Sequence, residues 1–203
     1  LRPNIPLADA RITLPELQAF PYDAQKEQEL LKLMAEWCIR FTPLVALVPP
    51  NGLFLDVSGC THLWKTEANY LASISKRLAK HYHHQMGMAD TLGTAWAVSH
   101  YGTNPIIKPK EQLQALLPLP PKALRLDEAT LTHLYKLGFN TIDSFIHIAP
   151  APLRRRFGNE INLRIGQALG SQHETFEAIV EPHPYRERLQ CLAPIQTGKA
   201  IEI

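Results

Sequence analysis

The stretch PPNGLFLDVSGC, Pro49–Cys60, decides how the rest of the chain is read. It joins two short apolar runs rich in β-formers, Val45-Ala46-Leu47-Val48 and Leu53-Phe54-Leu55, through Asn51-Gly52. Asn-Gly between such runs is a strong local signal for a β-hairpin, because both residues tolerate the left-handed backbone of tight hairpin turns. A hairpin with Asn51 and Gly52 at its tip is therefore expected. Its tip carries a carboxamide and a glycine, and no charge.

Helices flank the hairpin. Upstream, Leu7-Ala8-Asp9-Ala10 after Pro6 predicts a short helix. Asp23 then serves as N-cap for an amphipathic helix in which Leu30, Met34, Trp37, Cys38 and Phe41 recur at helical spacing, ending near Pro43. Downstream, Thr66 to Tyr82 reads as a second amphipathic helix, with Tyr70, Leu71, Ile74, Leu78 and Tyr82 on one face and Lys76, Arg77 and Lys80 on the other. Met86-Gly87-Met88-Ala89 reads as a short buried strand, and Asp90 or Thr91 caps a helix that Gly102 stops. The order helix, strand, strand, helix, strand, helix predicts an α/β (α+β) domain over residues 1–104, with a mixed or antiparallel sheet and helices on one face.

Five prolines between Thr103 and Lys122 mark a connector over residues 105–121, with one short helix from Glu111 to Leu117. Residues 122–172 then read as a small all-α unit. Asp127 caps Glu128 to Leu137, Thr141 caps Ile142 to Ile148, Pro150 or Pro152 starts a third helix, and Asn159 caps Glu160 to Leu169. Residues 173–203, with Pro182 and Pro184, read as linker.

At 203 residues and 45% hydrophobic, the chain suits two small domains. Leu at position 1 and a final QTGKAIEI that opens a strand suit a segment of a longer protein. The sequence has neither a run of about 18 apolar residues nor a signal-peptide profile, which makes the expected location cytoplasmic. Cys38, Cys60 and Cys191 are scattered and odd in number, which fits reduced thiols better than a disulfide framework or a zinc site. His81, His83 and His84 cluster after the second amphipathic helix. With no Cys or carboxylate at ligand spacing, they are read as polar residues at a helix C-terminus rather than metal ligands.

Net charge is only +2, but it is unevenly spread: Pro120 to Leu169 holds seven Lys or Arg against four acidic residues. In this half, LYKLGFNTIDSF, Leu134–Phe145, has the shape of a helix-hairpin-helix. A glycine there lets the chain turn sharply and bring N–H groups to a phosphate, and the N-terminus of the following helix adds more donors. Lys136, Gly138, Phe139, Asn140 and Thr141 are the candidate DNA-backbone contacts, with Arg154 and Arg155 of the Arg154-Arg155-Arg156 cluster. The competing reading is an ordinary αα-hairpin that happens to contain Leu-Gly.

The order of these parts, LDVSG on a hairpin, GMAD before a helix, a proline-rich crossing, LGFNT and RRFG, resembles the palm and thumb of the Y-family (DinB/UmuC-like) translesion DNA polymerases. Leu7–Ala10 with Leu14-Pro15-Glu16-Leu17 resembles the stretch those enzymes carry just after their fingers. The resemblance implies a palm over residues 1–104, a thumb with a helix-hairpin-helix over 122–172, and a little finger beyond the linker. Active members carry S-I-D-E at the hairpin. Their catalytic Asp and Glu positions fall here on Asn51 and Gly52, while Leu55-Asp56-Val57 keeps the structural part. The family's Asn-Lys pair and later triphosphate-holding Lys are replaced by Asp90-Thr91 and by His100-Tyr101-Gly102. The family's first catalytic Asp lies on a strand preceding this sequence.

These departures are similar to the ImuB-like branch of the family, which implies an inactive accessory subunit of bacterial SOS-type mutagenic repair. The partners so implied are primer-template DNA, an error-prone replicative-type polymerase, a RecA-like protein and the sliding clamp, largely through regions outside this segment. No cofactor is expected. Mg²⁺ enters only under the alternative, a working translesion polymerase with an atypical metal site.

Overall fold

The computed structural model describes residues 5–179. Helix α1 (Leu7–Thr13) leads through an extended stretch to α2 (Ala24–Cys38), where the Asp23 carboxylate accepts the Lys26 N–H at 3.2 Å, as the cap reading requires. The buried stripe of α2 is Leu31, Ala35 and Cys38, whereas Leu30 is 43% exposed and Met34 only half-buried. Small Ala35 and Cys38 let the helix sit close on Val45 of the hairpin, and that approach turns α2 away from the predicted stripe. Burial pushes the Cys38 thiol up to about 11. Both Cys38 and Cys60 are free thiols, and Cys191 lies outside the described residues.

Strands β1 (Leu44–Val48) and β2 (Gly52–Asp56) pair antiparallel, from Val48 opposite Gly52 to Leu44 opposite Asp56. The hairpin is as predicted; its turn is not. Pro49, Pro50 and Asn51 form a three-residue loop, and Gly52 is the first paired residue of β2 rather than half of an Asn-Gly turn. Gly52 sits close to the opposite strand: a Cβ there would stand 3.1 Å from the Val48 carbonyl oxygen, a tight contact.

After the 3₁₀ turn Thr61–Trp64, α3 (Glu67–Leu78) starts at Thr66, whose hydroxyl accepts the Asn69 N–H. Tyr70 and Ile74 bury against Phe41, with the Tyr70 hydroxyl donating to the Phe41 carbonyl at 3.3 Å and Trp64 edge-on to Tyr70. The helix stops at Leu78, short of the predicted Tyr82, which is exposed.

Met86–Ala89 does not join the sheet, and this corrects the expected third strand. Met88 pairs instead with the chain around Ile106, accepting from Ile107 N–H at 2.9 Å and donating to Pro105 at 2.7 Å. Gly87 lies so close to the next helix, α4 (Leu92–Tyr101), that a Cβ would come within 2.4 Å of the Ala95 carbonyl oxygen. The segment packs through Met86 and Met88 on the same Phe41, Tyr70 and Ile74 core as Leu55 of β2, but its backbone pairs with Ile106. The sheet of the described residues is thus the two-stranded hairpin within a largely helical chain.

Beyond α4 come α5 (Gln112–Leu116), the 3₁₀ turn Pro121–Leu124, α6 (Glu128–Lys136), α7 (Asp143–Ile146), α8 (Pro150–Phe157) and α9 (Glu160–Leu169). Their core is built on Leu116, Leu134, Ile142, Phe145 and Ile161, all fully buried, and it extends across the proline-rich stretch to Ala97 and Val98 of α4. Helix α4 meets α9 at Gly93, where a Cβ would lie 2.9 Å from the Ala168 Cα. The Thr91 and Thr94 hydroxyls both donate to the Ala168 carbonyl, at 2.7 and 2.8 Å, satisfying a helix-end acceptor that α9 leaves open.

Asn159 makes no side-chain cap for α9, contrary to expectation, since its own backbone is already helical. The chain from His173 to Ile179 turns back along β1: Ala178 bridges Ala46, and the Ile179 N–H donates to the Val45 carbonyl at 2.7 Å. Pro182 and Pro184 lie outside the described residues. Among the described residues no helix is long and apolar enough to cross a membrane.

Candidate nucleic-acid interface

Helix α6 begins at Asp127, whose carboxylate accepts the Thr130 N–H at 2.9 Å and the Thr130 hydroxyl at 2.7 Å. These bonds, the backbone one foremost, hold the Asp127 carboxyl below its ordinary range. The helix ends in a Schellman motif. Gly138, at φ +83°, donates to the Tyr135 carbonyl at 3.0 Å, and Phe139 donates to the Leu134 carbonyl at 3.0 Å.

This motif corrects the role expected of Gly138. Its left-handed backbone terminates α6, and its N–H and that of Phe139 are turned into the helix end rather than toward a ligand. Phe139 is also a packing residue, half-buried, 6.0 Å from the Phe145 ring and 6.3 Å from that of Phe157. The donors expected at the following helix are spent as well. Ile142 N–H bonds the Leu119 carbonyl at 2.9 Å and Asp143 N–H the Leu117 carbonyl at 3.1 Å.

Thr141 does not cap α7 through its hydroxyl; its carbonyl accepts from Ser144 instead, and α7 is a single turn. Of the hairpin amides, those of Asn140 and Thr141 have no protein acceptor among the described residues. Asn140 is exposed and Thr141 half-buried.

The basic residues divide into two groups. Arg125 and Arg164 both pair with Glu174, at 2.7 and 3.8 Å, and Arg164 also stands 3.5 Å from Glu160. Arg125 lies 5.9 Å over the Trp96 ring as well. Lys122, Lys136, Arg154, Arg155 and Arg156 are exposed and have no acidic partner among the described residues. Leu153 and Phe157 anchor α8 in the core, which turns the three intervening arginines outward, and the Phe157 ring against Phe139 sets the end of α8 beside the hairpin. Lys122 was missed in the sequence because nothing local separates it from Arg125; only Glu174, 49 residues further on, does.

The hairpin tip was the second candidate. Asn51 is exposed in the loop and Gly52 begins β2. Asp56 lies at the other end of the strand, about 13 Å away at strand rise, and its carboxylate accepts the Ser58 N–H at 2.9 Å. Among the described residues no group of three or more His, Cys, Asp or Glu side chains is arranged to hold a metal ion. Two-metal nucleotidyl transfer needs carboxylates clamping ions about 3.5–4 Å apart, and the tip's own donor set, one carboxamide, does not fit it.

A palm-type hairpin followed by a compact set of short helices defines a class, and comparisons with known proteins identify it. Residues 1–100 match the impB/mucB/samB family. The fold matches DinB from Sulfolobus solfataricus, with TM-score 0.66 and 14% identity over 86% of this chain and 54% of that one. It also matches a Dbh ternary complex with partially disordered substrates, with TM-score 0.67 and 16% identity over 88% and 55%. The chain is thus similar to the Y-family polymerase superfamily, by the family match of residues 1–100 and by the fold of most of its length. It is also 36% identical over 197 residues to Protein ImuB of two strains of Caulobacter vibrioides, a match covering 96% of this chain. The chain spans 43% of the length of those relatives.

Proposed function

We propose that the chain is the palm and thumb of a catalytically silent Y-family homologue that holds DNA backbone and serves as an accessory subunit in SOS-type translesion synthesis, recruiting an error-prone polymerase. What supports this reading is the hairpin tip: the family resemblance aligns Asn51 and Gly52 with the positions active members use for carboxylates, and the tip carries neither acid. A carboxamide is a neutral, weak ligand for a hard divalent cation and glycine offers no side chain, so charge neutralisation of a transferring phosphoryl group has no source there.

The DNA grip is assigned to the exposed cations Lys122, Lys136, Arg154 and Arg155, with the Asn140 and Thr141 amides as supplementary donors. Such contacts position a protein on a duplex without reading sequence. That suits a subunit whose work is to bring other proteins to a damaged template. The error-prone replicative-type polymerase, a RecA-like protein and the sliding clamp are proposed to engage mainly through the rest of a longer protein.

Mn²⁺ titration followed by paramagnetic broadening of backbone amides tests the tip directly. Amides of residues 51–53 are expected to stay sharp in the intact protein, while Asn51→Asp combined with Gly52→Glu introduces local broadening. Selective broadening at the unaltered tip would support the working-polymerase reading instead.

A further inference from the structure

One segment of the N-terminal half carries an excess of positive charge that the DNA-backbone reading does not use. Between Val57 and Ala89 the sequence holds Lys65, Lys76, Arg77 and Lys80 against a single acidic residue, Glu67. All four cations are exposed and none has an acidic partner among the described residues.

Lys76 lies in the last turn of α3, and Lys80 follows in the turn just beyond the helix end at Leu78. Arg77 lies 5.5 Å over the Phe41 ring, which fixes its stem on the core while its charge stays outside. The chain then leaves the helix through Ala79, Lys80, His81, Tyr82, His83 and His84, which line a shallow depression of about 490 Å³. Tyr82 is 38% exposed, its ring 6.3 Å from that of His81, and His81 and His83 are exposed. His84 is the structural member, its Nε2 2.9 Å from the Ser75 hydroxyl and its Nδ1 3.2 Å from the Tyr82 carbonyl.

Cations interleaved with exposed rings around a shallow, open depression are the elements of a single-strand platform: the cations track the phosphates and the rings stack the bases. An acidic protein partner would use the charge but would leave the rings without a role. We infer that the C-terminal end of α3, with Lys76, Arg77, Lys80 and Tyr82 as its contacts, is a second nucleic-acid surface that takes single-stranded DNA, independent of the Arg154 cluster.

The test is fluorescence anisotropy of a labelled oligothymidylate with the intact protein, over a range of salt, in an Arg154→Ala, Arg155→Ala background so that the helical half does not mask the result. Removing three phosphate contacts by Lys76→Ala, Arg77→Ala and Lys80→Ala is expected to make the log–log salt slope shallower by about 2 and to weaken binding at about 0.1 M salt roughly 100-fold. Because Arg77 packs on Phe41, the double variant Lys76→Ala, Lys80→Ala, which touches no core residue, is measured beside it and should lose about two-thirds of that slope change. Tyr82→Ala is expected to cost about fivefold or more with the slope unchanged.

Affinity and slope unchanged in both charge variants would overturn the surface. Equal binding of a duplex with Tyr82→Ala silent would overturn the single-strand assignment and leave a general polyanion patch. Neither outcome bears on the Arg154 cluster, whose role is read from duplex binding by the Arg154→Ala, Arg155→Ala background against the unaltered protein.

Discussion

Replacing Arg154 and Arg155 with alanine is expected to weaken binding to primer-template DNA roughly 60-fold at about 0.1 M salt and to flatten the log–log salt slope by about 1.8. The magnitude follows from counterion release, each lost duplex contact removing about 0.9 from the slope. Both side chains are exposed on α8 without an acidic partner among the described residues, so their removal leaves the folded state essentially unchanged. Anisotropy titrations at several salt concentrations check it. Arg125→Ala and Arg164→Ala provide the contrast, since Glu174 and Glu160 already pair with them: they should lower stability and leave the salt slope in place.

Phe145→Ala is expected to destabilise the protein by about 3–5 kcal/mol, a large part of the roughly 5–15 kcal/mol that holds a typical domain together. Phe145 is fully buried on the single-turn helix α7, edge-on to Phe139 and in the same cluster as Leu134, Ile142 and Ile161. Its truncation leaves a cavity that the surrounding helices close poorly, because α7 is pinned to Leu117 and Leu119 by backbone hydrogen bonds. Urea unfolding monitored by far-UV circular dichroism reads the loss as a lower midpoint. Binding through the Arg154 cluster should fall with it, because Phe139 and Phe157 share the core that sets α8 against the hairpin.

What the sequence made legible was local. Asp23 and Asp127 cap the helices they were expected to cap, and of the two candidates Asp90 and Thr91 it is Thr91 that caps α4, because capping needs only a short polar side chain and an amide three residues on. The β1–β2 pairing was legible for the same reason. What was not legible depended on partners far along the chain. Leu117 and Leu119 occupy the amides of Ile142 and Asp143, and Glu174 takes Arg125 and Arg164 out of the pool of free cations. Met86–Ala89 had a strand-like composition, but its fate was settled by Ile106 and α4.

Gly138 was the most instructive case. The same left-handed glycine serves a phosphate loop or a helix stop, and only the hydrogen bonds of its neighbours, Phe139 to Leu134 and Gly138 to Tyr135, distinguish the two. The proposed interface moves accordingly from the hairpin backbone to exposed side chains: Lys136, Arg154 and Arg155 stay candidates, as do the Asn140 and Thr141 amides, and Lys122 joins them. At the hairpin tip the turn chemistry changed as well. Pro49, Pro50 and Asn51 make the loop, and Gly52 begins the strand opposite Val48.

The central claim is that this palm does no nucleotidyl transfer, and primer extension by the intact protein with Mg²⁺ or Mn²⁺ and all four deoxynucleotides measures it most directly. No template-directed product is expected. None is expected from Asn51→Asp with Gly52→Glu either, since the family resemblance puts Asp90-Thr91 and His100-Tyr101-Gly102 in place of the triphosphate contacts and a side chain at position 52 crowds Val48. Robust template-directed extension by the unaltered protein would contradict the account.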